Sequence, residues 1–325
     1  MEERGGRKMK VFFDTNRIPE ELIRNKVKYE DAIFVEYDLN NENAENYKDA
    51  EIIILNVTSI ITKEILDKLP KLKMIALMAT GYDNISLEEC KKRNIIITNV
   101  PSYSNESVAE HALALLFTIS KRIHECNKEM ENCNIQMPNL MGFELKGKTI
   151  GIIGTGSIGL HMAKLCKGLD MKVLAYDINQ NKDIAETLGF NYVELNNLFM
   201  QSDIISVFVP LNKNTNHLIN KENFDLMKKG VVIINTARGA IINEQDLLEA
   251  LNSGKVAFAG LDVFEDEDFN CKKDNTSRKL IEHKNVVATP HAGFNTVEAI
   301  NSLIDVTLKN IDLFLQSKNI DDRVV

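Results

Sequence analysis

Charged side chains follow apolar runs at three places in the second half of this 325-residue chain. Arg238 follows VVII at 231–234, an acidic cluster at 265–268 follows AFAGLDVF at 257–264, and His291 follows VVATP at 286–290. Such runs predict buried strands, and open α/β sheets bind ligands at the carboxyl ends of their strands. An arginine fork binds carboxylates, a histidine transfers protons near neutral pH, and a carboxylate stabilises charged imidazole. These are the groups that hydride transfer to a 2-keto acid requires.

A dinucleotide-binding motif lies upstream, in TIGIIGTGSIGLHMAKLCKGLDMKVLAYD at 149–177. The segment reads as a strand, a glycine-rich turn, an amphipathic helix and a second strand that ends in Asp177. Gly154 permits the tight turn, Gly156 lets the backbone approach a pyrophosphate, and Gly159 lets helix and strand pack closely. Asp177 stands where an acid binds the adenosine ribose hydroxyls and repels the 2′-phosphate of NADP. The motif therefore predicts NAD, with NADP left open by the nearby Lys182.

The composition argues against several classes of partner. Lys and Arg number 39 against 47 Asp and Glu, so the net charge is −8, and neither nucleic acid nor an anionic membrane surface is expected to bind. No run approaches the roughly 18 apolar residues of a membrane span. The five cysteines are odd in number and lack the spacing of a zinc or redox motif, so we expect reduced thiols in a cytoplasmic protein.

Short runs rich in Ile and Val alternate with helix-length stretches along most of the chain, which is typical of parallel α/β sheets. Strands are predicted at 10–14, 33–37, 52–56, 74–78 and 95–99, helices at 62–69, 87–93, 106–121 and 297–315, and a second α/β series from 149 to about 289. The polar stretch 122–147 interrupts this alternation and is interpreted as an irregular arm or linker. The predicted fold class is α/β with doubly wound parallel sheets.

Six blocks of the sequence resemble the D-isomer-specific 2-hydroxyacid dehydrogenase family, over nearly the whole chain. They are NVPSYSNESVAEHALALL at 99–116, GTGSIG at 154–159, SDIISVFVPL at 202–211, MKKGVVIINTARGAIINEQDLLEAL at 227–251, GLDVFEDE at 260–267 and TPHAGF at 289–294. Phe294, three residues after His291, is similar to the branch that reduces pyruvate to D-lactate. Hydroxypyruvate, branched-chain or aromatic keto acids remain alternatives, as does an NAD-sensing binding protein of the corepressor type.

The resemblance implies roles for individual residues. It makes Arg238 the carboxylate-binding group, His291 the proton donor and Glu267 the partner of His291. Glu265 remains open as an alternative to Glu267, and His217 as a rival to His291. The residues that it places around NAD are Gly154, Gly156, Ser157, Ile158, Gly159, Asp177, Val209, Pro210, Thr215, Thr236, Ala237, Arg238 and Asp262, with Asp262 on the nicotinamide carboxamide. The residues that it places around the substrate are Thr80, Gly81, Tyr103, Arg238, His291 and Phe294. No metal is expected, and His111 is expected to be a surface or core residue outside the catalytic set.

The resemblance also implies a domain organisation. A flavodoxin-like substrate domain is expected from residues 1–101 and 294–325, with a Rossmann NAD-binding domain at 102–293 inserted between them. Family members are commonly dimers, so a homodimer is expected, with the segment 122–147 reaching the partner. The sequence thus predicts an NAD-dependent D-2-hydroxyacid dehydrogenase whose other partner is a small 2-keto or 2-hydroxy acid.

Overall fold

The computed structural model describes residues 10–15, 18–29, 32–35, 38–56, 58–133, 135–267 and 274–325. The strands are β1 (Val11–Asp14), β2 (Ala32–Val35), β3 (Ile52–Leu55), β4 (Met74–Leu77), β5 (Ile96–Thr98), β6 (Thr149–Ile153), β7 (Lys172–Tyr176), β8 (Asn191–Tyr192), β9 (Ile204–Val207), β10 (Val231–Asn235), β11 (Val256–Leu261) and β12 (Val286–Ala288). The α-helices are α1 (Glu20–Arg24), α2 (Lys63–Asp67), α3 (Leu87–Lys92), α4 (Asn105–Ser120), α5 (Ile123–Glu131), α6 (Ser157–Gly168), α7 (Lys182–Leu188), α8 (Leu195–Gln201), α9 (Lys221–Leu226), α10 (Glu244–Asn252), α11 (Thr276–Ile281) and α12 (Val297–Leu315).

The chain divides into two compact units, one formed by the chain up to Tyr103 together with Thr296–Val325, and the other by Ser104–Asn295. The first unit contains a parallel sheet in the order β2-β1-β3-β4-β5, which is the doubly wound order of flavodoxin-like folds. Alternate residues of its strands enter different cores, since Ile52 and Ile54 pack in one cluster and Ile53 and Leu55 in another. Both faces are therefore buried, which explains why these strands are continuously apolar.

The second unit contains a parallel sheet in the order β12-β11-β10-β9-β6-β7-β8. The order reverses at β6, because β7 pairs with one edge of β6 and β9 with the other. A reversal of this kind opens a crevice at the carboxyl ends of the two central strands, where doubly wound sheets bind nucleotides. The predicted fold class, two parallel-sheet α/β domains, is confirmed.

The interpretation of residues 122–147 as irregular was wrong for its first part, because Ile123–Glu131 forms α5 and Met137–Leu140 forms a 3₁₀ turn. No residue of α5 is buried. The partly exposed side of α5 carries Glu125, Cys126 and Glu129, so the helix has no buried apolar stripe by which the sequence could indicate it. None of the helices in the described part of the chain is long and apolar enough to cross a membrane.

Candidate active site

The glycine-rich turn joins β6 to α6 with almost no free space on its inner side. Gly154 has a φ of +96°, a conformation that side chains other than glycine rarely adopt. A Cβ at Gly159 would lie 2.0 Å from the carbonyl oxygen of Gly154, so only glycine lets α6 start this close to the strand. A Cβ at Gly156, in contrast, would meet no heavy atom within 4 Å. The first turn of α6, which includes Ser157 and Ile158, is therefore approachable from the side where an anion would bind.

Asp177 directly follows β7, and its carboxylate is fixed by the glycine-rich turn. Its Oδ2 accepts hydrogen bonds from the backbone N–H of Thr155 at 2.6 Å and from the Thr155 hydroxyl at 3.0 Å, and its Oδ1 accepts one from Asn179 N at 2.8 Å. The Thr155 hydroxyl also lies 2.8 Å from the hydroxyl of Tyr192. The acid that the sequence assigned to the adenosine ribose thus has a set position beside the turn.

The next predicted cofactor contacts come from the segment after β9, which contains Val209, Pro210 and Thr215. The Thr215 hydroxyl donates to the carbonyl oxygen of Pro210 at 2.6 Å and accepts from Asn212 N at 2.8 Å. These two bonds close the segment into a compact loop. The loop follows β9, which lies next to β6 where the strand order reverses, and doubly wound sheets bind nucleotides at that point.

Arg238 lies three residues after β10, and a buried asparagine supports it. Asn235, only 1% exposed, donates through Nδ2 to the carbonyl oxygen of Arg238 at 2.9 Å and accepts from Ala237 N at 3.0 Å. The Arg238 guanidinium donates to the carbonyl oxygen of Ala237 at 2.8 Å. Thr236 is 7% exposed, and its hydroxyl has no hydrogen-bond partner among the described residues. Sequence reasoning missed Asn235, although an amide that ends a fully apolar strand was a signal.

The backbone of Gly239 packs directly against the segment that leads to the acidic cluster. A Cβ at Gly239 would lie 1.9 Å from the carbonyl carbon of Phe264 and 2.4 Å from Glu265 N. The turn that carries Arg238 and the chain that leads to Glu267 are therefore in backbone contact.

Asp262 follows β11 and is 1% exposed. Its Oδ1 accepts from the Thr289 hydroxyl at 2.6 Å and from Ala292 N at 2.8 Å, and its Oδ2 accepts from Gly293 N at 2.9 Å. His111 Nε2 on α4 lies 3.2 Å from Oδ1. Burial alone would raise the pKa of Asp262, but the hydrogen bonds from His111, Thr289 and Ala292 hold that pKa below its ordinary value. Asp262 therefore anchors the loop that carries His291.

His291 pairs with Glu267 in this structure. Its Nδ1 lies 3.0 Å from Oε1 and 2.9 Å from Oε2 of Glu267, and the two side chains are 13% and 24% exposed. The backbone of His291 is left-handed, with a φ of 53°, and its N–H donates to the carbonyl oxygen of Asp262 at 2.8 Å. Glu265, the alternative to Glu267, instead lies 2.9 Å from Nε2 of His217, the rival histidine.

The other predicted substrate contacts lie in two places. Thr80 follows β4 of the first unit, where its hydroxyl donates to the carbonyl oxygen of Val100 at 2.9 Å, and Gly81 comes next in the chain. Tyr103 packs against the apolar core of that same unit. Phe294, in the second unit, is half-buried three residues after His291.

These features fit a dinucleotide. The open approach to Gly156, the fixed carboxylate of Asp177 and the buried unpartnered hydroxyl of Thr236 all lie at the carboxyl edge of the second sheet. Among the described residues no group of three or more His, Cys, Asp or Glu side chains could hold a metal ion.

Comparison with known proteins identifies the family. Residues 113–293 match the family described as D-isomer specific 2-hydroxyacid dehydrogenase, NAD binding domain. The chain is 36% identical over 288 residues to D-lactate dehydrogenase of Escherichia coli, covering 86% of this chain and 87% of that protein. It is 38% identical over 281 residues to glyoxylate reductase of Thermococcus litoralis, covering 84% and 83%.

A solved structure agrees with this assignment. Aquifex aeolicus D-lactate dehydrogenase complexed with NAD and lactic acid aligns with a TM-score of 0.84 at 34% identity, over 94% of this chain and 96% of that one. The chain belongs to the D-isomer-specific 2-hydroxyacid dehydrogenases, a family of oxidoreductases, and its cofactor is NAD. The resemblance stated from the sequence and the choice of NAD are confirmed.

Proposed function

We propose that this protein is a D-lactate dehydrogenase that reduces pyruvate to D-lactate. The observation that carries the chemistry is the Glu267–His291 pair, a carboxylate bound to Nδ1 of an imidazole after the last strand of the cofactor-binding sheet. The choice of pyruvate is supported by the similarity to D-lactate dehydrogenases of E. coli and A. aeolicus. Glyoxylate is the second candidate substrate, because the glyoxylate reductase of T. litoralis is equally similar.

In the proposed mechanism, each residue has a separate task. Arg238 binds the substrate carboxylate with two parallel hydrogen bonds, and the backbone groups of Thr80 and Gly81 add further contacts. Nδ1 of His291 is held by Glu267, which leaves Nε2 to donate the proton to the carbonyl oxygen as it becomes an alkoxide. The carboxylate of Glu267 stabilises the charged imidazole before that transfer. NADH, held by the glycine-rich turn and Asp177, would supply the hydride to C2 of the keto acid.

The remaining site residues bind cofactor or shape the substrate pocket. We propose that Gly154, Gly156, Ser157, Ile158 and Gly159 bind the pyrophosphate and that Asp177 binds the adenosine ribose. The other proposed cofactor contacts are Val209, Pro210, Thr215, Thr236, Ala237, Arg238 and Asp262. Tyr103 and Phe294 are proposed to border the keto acid side chain. In this assignment residues 102–293 form the NAD-binding domain, and residues 1–101 with 294–325 form the substrate domain.

A homodimer is part of the proposal. The segment 122–147 exposes five large apolar side chains: Ile123, Met130, Ile135, Met137 and Met141. Clusters of exposed apolar side chains mark protein interfaces, and light scattering should give about twice the chain mass of 36.7 kDa. The described cysteines, Cys90, Cys126, Cys133 and Cys166, are all free thiols, which fits the cytoplasmic location that we propose; Cys271 lies outside the described residues.

The test is NADH oxidation by the purified protein with pyruvate, glyoxylate, hydroxypyruvate, 2-ketoisocaproate and phenylpyruvate, repeated with NADPH. We expect the highest kcat/KM for pyruvate with NADH, and D-lactate as the product in a chiral assay. A higher value for another keto acid would overturn the choice of pyruvate. Binding of NADH without reduction of any keto acid would favour the NAD-sensing alternative.

A variant tests the proton donor. His291→Ala should lower kcat by about 100-fold or more while NADH still binds, because the alkoxide loses its proton source. His124→Ala removes an exposed histidine of α5 and is the matched control; with light scattering showing the wild-type mass, it should keep wild-type turnover. Near-normal turnover by His291→Ala would refute the role of His291.

A further inference from the structure

Glu244, at the start of α10, is a buried carboxylate to which the proposed mechanism gives no task. It is 5% exposed, and both of its oxygens are occupied. Oε1 accepts a hydrogen bond from the backbone N–H of Glu265 at 2.8 Å, and Oε2 accepts one from the Ser277 hydroxyl at 2.6 Å. Burial raises the pKa of Glu244 although both hydrogen bonds oppose that shift.

Ser277, on α11, extends this contact by one residue. It is 4% exposed, and its hydroxyl accepts a hydrogen bond from the backbone N–H of Asp266 at 3.2 Å. The Asp266 carboxylate accepts a further bond from Asn275 Nδ2 at 2.8 Å. Two successive backbone N–H groups, those of residues 265 and 266, therefore end on the Glu244–Ser277 pair.

The next residue in the chain is Glu267, whose carboxylate lies 2.9 Å from Nδ1 of His291. A buried carboxylate is costly unless its hydrogen bonds are satisfied. Glu244 accepts one bond directly from the backbone N–H of Glu265, and its other bond holds Ser277, which accepts from the N–H of Asp266. The backbone at 265–266 therefore determines where the Glu267 carboxylate lies relative to His291.

We propose that Glu244 is a positioning residue which, together with Ser277, holds the chain at 265–266 so that the Glu267 carboxylate meets Nδ1 of His291. This inference rests on the proposed catalytic role of Glu267. In this role Glu244 acts on the reaction through Glu267 and not by binding substrate or cofactor itself.

The experiment is a double-mutant cycle of Glu244→Ala and Glu267→Gln, measured as kcat/KM for pyruvate reduction. If Glu244 acts through Glu267, Glu244→Ala lowers kcat/KM by about tenfold in the wild-type background and by less than about twofold in the Glu267→Gln background. The loss should lie in kcat, with an unchanged Kd for NADH in a fluorescence titration. Glu249→Ala, which removes an exposed carboxylate of the same helix, is the matched control and should leave kcat/KM unchanged.

Two further variants keep the test decisive if Glu244→Ala fails to fold. Glu244→Gln keeps an oxygen acceptor for Glu265 N and should restore kcat/KM to within about threefold of wild type. Ser277→Ala removes only the support of Asp266 N and should give a smaller loss that likewise disappears in the Glu267→Gln background.

The outcomes separate the two proposals. The positioning role would be overturned if a Glu244 or Ser277 variant lost as much kcat/KM in the Glu267→Gln background as in the wild-type background, or lost none in the wild-type background. Either result would leave the role of Glu267 intact. If Glu267→Gln itself keeps wild-type kcat/KM, the proposed catalytic role of Glu267 is refuted, and the positioning inference falls with it.

Discussion

Gly239→Ala tests the contact between the turn that carries Arg238 and the segment that leads to Glu267. The new Cβ would lie 1.9 Å from the carbonyl carbon of Phe264 and 2.2 Å from its oxygen, whereas real Cβ contacts essentially never fall below 3.0 Å. The clashing atoms belong to the backbone, so no side-chain rotation relieves the overlap. The two segments must separate by about 1 Å.

This separation predicts both a kinetic and a stability effect. A displacement of about 1 Å among groups that hold and protonate a substrate costs about 100-fold in rate, so kcat/KM should fall by about that factor. Overpacking of this kind costs about 1–3 kcal/mol, which in a folding unit of the size of Ser104–Asn295 lowers the Tm by about 2–4 °C per kcal/mol. Steady-state kinetics and calorimetry measure the two effects on the same preparation.

Gly168→Ala is the matched control. A Cβ at Gly168, the last residue of α6, would meet no heavy atom within 4 Å. This substitution should keep wild-type kcat/KM and stabilise the protein by about 0.5–1 kcal/mol, because alanine loses less backbone entropy in a helix than glycine. The reasoning is refuted if Gly239→Ala keeps kcat/KM within about twofold and leaves the Tm unchanged.

Three other substitutions give distinct expectations. Arg238→Lys should raise the KM for pyruvate about tenfold, because a point charge replaces a two-donor fork; an unchanged KM would place the substrate carboxylate elsewhere. Asp177→Asn should lower the ratio of kcat/KM with NADH to kcat/KM with NADPH about tenfold or more. The substitution removes the charge that repels the 2′-phosphate and weakens the two hydrogen bonds to the ribose, and an unaltered ratio would contradict the assignment. Asp262→Asn should lower the stability near neutral pH and make it less dependent on pH in the acid range. Although burial opposes it, hydrogen bonding from His111 and Thr289 keeps the pKa of Asp262 below its unfolded value, so its contribution is present above about pH 4 and is lost as pH falls further. The Tm difference between wild type and variant should therefore be largest near pH 7 and shrink toward pH 3, and a constant difference would be evidence against this reading.

Local patterns were sufficient to predict the elements that position the site. The last helix begins and ends where the sequence predicted, at Val297 and Leu315, because its apolar stripe is regular. The turn at 154–159 was also predictable, since Gly154 and Gly159 answer steric requirements that neighbouring residues create and Gly156 keeps the approach to the turn open. The ends of β10, β11 and β12 located Arg238, the acidic cluster and His291, because apolar runs predict buried strands and ligands bind at the carboxyl ends of such strands.

Contacts between distant residues could not be predicted in this way. Nothing in the sequence near His111 indicates that its ring bonds Thr289, 178 positions away, or that Glu244 accepts from Ser277. Glu267 was assigned from the family resemblance, whereas local pattern alone left Glu265 open, since the two acids of one short cluster differ in which histidine each one reaches. Such pairings arise from the order of strands in the sheet, which periodicity alone does not specify.

The left-handed backbone at His291 restricts which residues can occupy that position. A side chain other than glycine costs about 1–2 kcal/mol in this region, and asparagine, aspartate and histidine tolerate it best. Of these, only histidine is a proton donor near neutral pH, so the fold and the chemistry independently select the same amino acid. Alanine at 291 would be strained in this conformation as well as unable to donate a proton, whereas asparagine removes the proton donor and tolerates the turn. A protein engineer who wished to move this acid to another scaffold would have to transplant a backbone conformation together with the ring.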